Sequence, residues 1–162
     1  MLTRCPKSLR KMKLKLDCDL EKLVKAFEAA PEKVRQMVRA QMKMAARDIK
    51  EHAATHHRYK TRSGNMERSG VETAVEDARA EIFLSPAVPY GVFLHEGTKA
   101  HNIVPRSKQA LRWVNGNEFI FAKKVRHPGI KADPFLYSAA EKELPKIEKR
   151  FQIALDNLAE GL

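Results

Sequence analysis

Seven apolar residues place the tightest constraint on how this chain folds. Val34, Met37, Val38, Met42, Ala45, Ile49 and Ala53 recur every three or four positions, so they form one stripe along a helix of about six turns. Pro31 opens it, because a proline in the first turn forfeits no intrahelical hydrogen bond. The spacing predicts a helix from Pro31 to about His56. Its other face carries Arg35, Arg39, Lys43, Arg47 and Lys50, which reads as solvated charge.

A second stripe lies at the far end: Leu136, Ala140, Leu144, Ile147, Phe151, Leu155 and Leu158. Asp133-Pro134 reads as an N-cap followed by a proline at the first helical position, with Phe135 and Leu136 anchored in the core. Pro145 removes one backbone bond and is expected to kink this helix. Strand patterns fill the rest. Strict alternation from Lys11 to Cys18 predicts a half-buried strand, and Asp19 can cap a short helix from Leu20 to Ala29. The stretch from His57 to Gly70 is basic and without sustained periodicity, which predicts a mobile loop. One or two strands are expected from Val71 to Leu84, with a turn near Glu76 to Arg79. Tyr90, Phe93 and Leu94 then suit one side of a short helix ending at Gly97. Asn115-Gly116 favours a type I′ turn, pairing Ala110 to Val114 with Asn117 to Val125. Trp113, Phe119 and Phe121 would supply the bulk of one sheet face, as core or interface. Together these predict a single α+β domain over residues 1–162: a small, mainly antiparallel sheet packed against a long N-terminal helix and a C-terminal helix.

With 162 residues, one main core is expected. Lys and Arg number 31 against 20 Asp and Glu, a net charge of +11 that draws the chain toward polyanions or acidic protein surfaces. The longest uncharged run, Ile82 to Leu94, is too short and too rich in proline to span a membrane. Asp17, Asp19 and Glu21 stand where a signal peptide would be apolar, so secretion is not expected. Cys5 and Cys18 form no CxxC and fit a reducing cytoplasm.

Six histidines raise the question of metal. His52 and His56 share a helix face at i, i+4, but no third ligand is near in sequence and no HExxH occurs. Neither a metal nor another cofactor is expected. His95, Glu96, His101 and His127 leave a hydrolase alternative, with Glu96 as base and a histidine as acid. GxSxG, P-loop and GxGxxG patterns are absent, and no catalytic residue is assigned. A second alternative is sequence-independent, salt-sensitive DNA binding, in which Arg58, Lys60, Arg62 and Arg68 meet phosphates and Tyr59 offers a ring for stacking.

Read in order, the second half contains PYGVFLHEGT (Pro89 to Thr98), HNIVPRSKQALRW (His101 to Trp113), FIFAKKVRHPG (Phe119 to Gly129) and KADPFLYSAA (Lys131 to Ala140). This succession resembles the small neck or tail-completion proteins of long-tailed bacteriophages, also described as head-tail joining proteins or putative tail components. Their loop pattern, TGxLxxS, is matched loosely by Thr61, Ser63, Gly64, Met66 and Ser69. The resemblance covers about residues 20 to 155. It implies a non-enzymatic virion part that forms a homo-oligomeric ring at the head-tail junction or tail top, in an active phage or a prophage. The implied partners are connector or portal-side subunits and tail-tube or terminator subunits, with non-specific contact to phage DNA open and no membrane involved. The implied location is the virion neck or tail, reached from the bacterial host cytoplasm during assembly. For intersubunit contact the chosen residues are Tyr59, Arg62, Met66 and Arg68 in the loop, plus Tyr90, His95 and Glu96. Ordinary core packing stands as the alternative for Tyr90 and Phe93.

Overall fold

The computed structural model describes residues 13–17 and 31–160. The first stripe forms helix α1, Pro31–Thr55, on which Val34, Val38, Met42, Ala45, Ala46, Ile49 and Ala53 are all buried. The second forms helix α4, Phe135–Glu160, which packs along α1. Polar ties run down this seam. Arg150 Nη1 donates to Asp48 Oδ2 at 2.6 Å, and His52 Nδ1 lies 2.7 Å from Glu143 Oε1. Low numbers on one helix meet high numbers on the other, so the two are antiparallel.

On another side α1 packs against a three-stranded antiparallel sheet of order β1-β3-β2. Its strands are β1, Lys13–Asp17; β2, Val71–Glu76; and β3, Arg79–Leu84. Ala80 and Ile82, two positions apart on β3, point to the same side and are fully buried. Asp77 takes a left-handed φ of 40° in the turn between β2 and β3, a conformation aspartate tolerates. The fold is thus the expected α+β arrangement, and α1 is its central layer: α4 packs chiefly on α1 rather than on the sheet. The predicted helix from Leu20 to Ala29 lies outside the described residues.

The remaining strands differ from a single sheet. Strand β4, His101–Ile103, pairs with β7, Val125–His127, and β5, Leu111–Asn115, pairs with β6, Glu118–Ala122. Residues 104–110, including Pro105, and Lys123-Lys124 separate the two pairs, because unequal insertions and a missing N–H interrupt one ladder. Between Arg62 and Gly97 two short helices appear: α2, Asn65–Ser69, inside the stretch expected as loop, and α3, Gly91–Glu96.

Two local expectations are corrected. Asp133 does not cap α4; its carboxylate turns instead to the backbone of Arg58 and Tyr59. Helix α4 carries Pro145 within its helical span. Its stripe slips by one residue there: Glu143 is buried while Leu144 is exposed, because the Glu143 carboxylate is claimed by His52 and by Lys146 Nζ at 2.8 Å. Hydrogen bonds from Lys146 and His52 hold that carboxyl below its ordinary range.

The hairpin turn is also displaced by one residue. Asn115 faces Glu118, so the central pair is Gly116-Asn117, and only Gly116, at φ 64°, is left-handed. That fits a type II′ turn rather than the type I′ expected. In this register Trp113 lies opposite Ile120, while Val114 lies opposite Phe119 and Arg112 opposite Phe121. Trp113 and the two phenylalanines therefore occupy opposite faces, and none is core: Phe119 is 57% and Phe121 64% exposed.

Candidate functional site

Three separate stretches wall a cleft of about 970 Å³: residues 58–67, residues 90–103, and residues 127–133. The first wall is fixed by Asp133. This buried carboxylate accepts the N–H of Arg58 at 2.5 Å and of Tyr59 at 3.0 Å through Oδ2, and Arg58 Nε at 3.3 Å through Oδ1. The N–H of Asp133 in turn donates to the carbonyl of Leu94 at 3.0 Å, so one residue joins all three walls. Tyr59 is held flat on His57, ring centroids 3.8 Å apart, and edge-on to Phe135 at 5.4 Å. Burial, then the negative charges of Glu67 and Asp133, raise its hydroxyl above the usual tyrosine range.

The second and third walls are stitched by the backbone. Thr98 and Ile130 exchange N–H···O bonds of 2.8 and 3.0 Å, and the Ile130 N–H also reaches Thr98 Oγ1. Such close approach requires glycine on each side. Gly97 (φ 75°) and Gly129 (φ 94°) are left-handed, and a Cβ on Gly129 would lie 2.3 Å from the Thr98 carbonyl oxygen.

Of the seven residues chosen for intersubunit contact, Tyr59, Arg62, Met66 and Tyr90 line this one cleft. Met66 is nonetheless only 4% exposed: its thioether packs against the backbones of Gly70 and Gly91, where any side chain would displace it. It belongs to the core, not to a free surface. Arg68 is committed to its own turn, donating to the Ser63 carbonyl at 3.0 Å and to Asn65 Oδ1 at 2.9 Å. Glu96 is exposed but does not line the cleft.

His95 is the other correction, being 3% exposed and edge-on to Phe135 at 5.1 Å and Tyr137 at 4.9 Å. Its Nε2 has no hydrogen-bond partner among the described residues. Burial in this apolar setting pushes the imidazole down to about 4 from its ordinary 6.5, against the pull of the Asp133 charge. The unfolded chain therefore takes up this proton first. The contribution is intact above pH 6.5 and is lost as pH falls toward 4. Between pH 6.5 and 5 it amounts to about 2 kcal/mol, at about 1.4 kcal/mol per unit. Urea unfolding of the wild type and of His95→Leu across this window should show that much less acid sensitivity in the variant. Equal pH slopes would contradict the burial account.

The hydrolase alternative required His95, Glu96, His101 and His127 together. The structure brings only two of them to the cleft, with His101 and His127 paired across β4 and β7, rings 5.0 Å apart. His52 and His56 stack on each other at 4.2 Å at the C-terminal end of α1, His56 lying just beyond it. Among the described residues no three histidine, cysteine or acidic side chains converge as metal ligands. No described helix is long and apolar enough to cross a membrane.

Sequence reasoning missed the second feature of the site, the arm that rises from the cleft. Strands β4 and β7 form its root and part of the cleft wall; β5 and β6 form its tip and pack chiefly on each other. One face of the tip presents Val114, Phe119 and Phe121, all more than half exposed, with the Arg112 guanidinium 4.4 Å from the centre of the Phe119 ring. The alternating pattern announced a ribbon, but alternation alone does not say that neither face meets the core. Compared with known protein families, with curated proteins and with solved structures, the chain matches none.

Proposed function

We propose that this chain is a structural virion protein of the head-tail junction or tail top of a long-tailed phage, acting through ring-forming self-association and contacts with connector and tail subunits. The observation that carries the reading is the arm. A two-stranded ribbon whose apolar side chains find no cover among the described residues is suited to contact with another surface, since contiguous exposed apolar area of this kind marks interaction sites. The motif succession from Pro89 to Ala140 runs through the cleft walls, the arm and the start of α4, so the resemblance and the exposed surfaces fall on the same residues. A ring needs two different complementary surfaces on each subunit, and the cleft and the arm supply two. Electron microscopy of particles assembled without this chain tests the reading. Heads and tails left unjoined, or tails of abnormal length, are expected; normal infectious particles would overturn it.

A further inference from the structure

The register of the β5–β6 ribbon sorts its side chains onto two unlike faces. Arg112, Val114, Phe119 and Phe121 stand on one, while Trp113, Ile120, Asn115 and Glu118 stand on the other. The first face is exposed and holds no carboxylate; its one charge, the Arg112 guanidinium, lies over the Phe119 ring. Phe119 and Phe121 are two positions apart on one strand, so their rings project side by side, about 7 Å apart along it. Cations crowd the flanks: Arg106 and Lys108 before β5, Lys123 and Lys124 after β6, and Arg126 on β7. All five are exposed and make no ion pair among the described residues. Because the strands are antiparallel, both flanks lie at the same, root end of the ribbon, beside Phe121. Over residues 104–127 six Lys and Arg stand against the single Glu118, a net +5 of the chain's +11.

From this arrangement we infer that the ribbon binds single-stranded nucleic acid, with bases stacked on Phe119 and Phe121 and phosphates held by the cations at the root. Every base has a π face, and aromatic rings and arginine planes are the surfaces on which unpaired bases stack. Arg112 over Phe119 supplies both together. In a duplex the base faces are covered by their neighbours, so it offers the ribbon phosphates but nothing for the two rings. A protein partner fits less well, because the buried centre of a protein interface is depleted of charge, whereas here unpaired cations surround the rings. Repeated cations beside exposed rings instead match a strand that alternates phosphate and base. The inference goes beyond the assembly reading above and does not depend on it, since that reading is tested on particles and this one on the isolated chain.

Fluorescence anisotropy of a labelled oligothymidylate of roughly 20 nucleotides, titrated with the full chain at about 50 mM salt, is the test. The single strand is expected to bind at least tenfold more tightly than a duplex of the same length. Phe119→Ala/Phe121→Ala is expected to weaken that binding at least tenfold and to leave its salt dependence unchanged, because the rings meet bases and not phosphates. Lys123→Ala/Lys124→Ala should instead lower the slope of log affinity against log salt by about 1.4, at about 0.7 for each phosphate contact on a single strand. All four side chains are exposed, so thermal unfolding of both variants should match the wild type. A phenylalanine variant that binds as well as the wild type would reduce the contact to charge alone and overturn the inference. Duplex bound as tightly as the single strand would overturn it too, as would no binding at low salt. Displacement of the oligothymidylate by polyglutamate, as effective at equal charge as displacement by unlabelled oligothymidylate, would assign the face to an acidic protein and likewise overturn it. In each of these cases the assembly reading stands.

Discussion

Replacing Phe135 by alanine is expected to lower the unfolding free energy by about 3 to 5 kcal/mol, the cost of emptying a fully buried aromatic site. Phe135 is 1% exposed and lies at the start of α4, where Tyr59 approaches it edge-on from one side and His95 from another. Its ring thus holds together the cleft's first wall, helix α3 and the long helix pair. Two aromatic contacts vanish with it, beyond the area it buries. Thermal unfolding should show a drop of many degrees, and Phe135→Leu should recover a large part of it by refilling the volume. A change within 1 kcal/mol for the alanine variant would mean that the three elements are held by something other than this ring.

Asp133→Ala is expected to cost about 3 kcal/mol, for a different reason. The carboxylate is buried and accepts two backbone N–H groups, and charge-assisted bonds of this kind contribute about 1.5 to 3 kcal/mol each. Its removal strands the amides of Arg58 and Tyr59, while the exposed Arg58 guanidinium contributes little. Asp133→Asn keeps one acceptor oxygen and should lose clearly less. The distinguishing measurement is amide hydrogen exchange. Arg58 and Tyr59 should lose protection in the alanine variant by more than the global stability change explains, whereas β2 and β3 should follow the global change. Uniform loss across the chain would show that Asp133 is a general core residue and not a clamp on the cleft wall.

These two residues also show where a sequence is legible and where it is not. Both long helices are readable because five or more turns of apolar spacing leave no competing register, and Phe135 at the head of α4 is readable with them. Asp133 was readable only as a residue that captures backbone N–H groups. That those groups would belong to residues about 75 positions earlier, rather than to its own helix, has no local signature. Met66 and His95 misled for a related reason: helices of five and six residues are too short to display a periodic face, so burial there is decided by neighbours such as Gly70 and Gly91. The hairpin turn failed by one residue because a glycine serves either as the first left-handed position of one turn type or the second of another. The choice was made by pairing along the strands, which the dipeptide does not encode. The cleft itself was invisible, being assembled from stretches that only the finished fold adjoins.

The arm carries a consequence for how sequence change is tolerated. Among the described residues its tip contributes nothing to the packed interior. Substitutions at Val114, Phe119 and Phe121 are expected to leave the scaffold intact, because all three side chains are exposed. The long helices are under the reverse regime, judged by the interior and indifferent to neighbours. On the self-association reading proposed above, such a division would let specificity drift at the tip while the body stays the same, so that related subunits built on one body could come to exclude each other's copies.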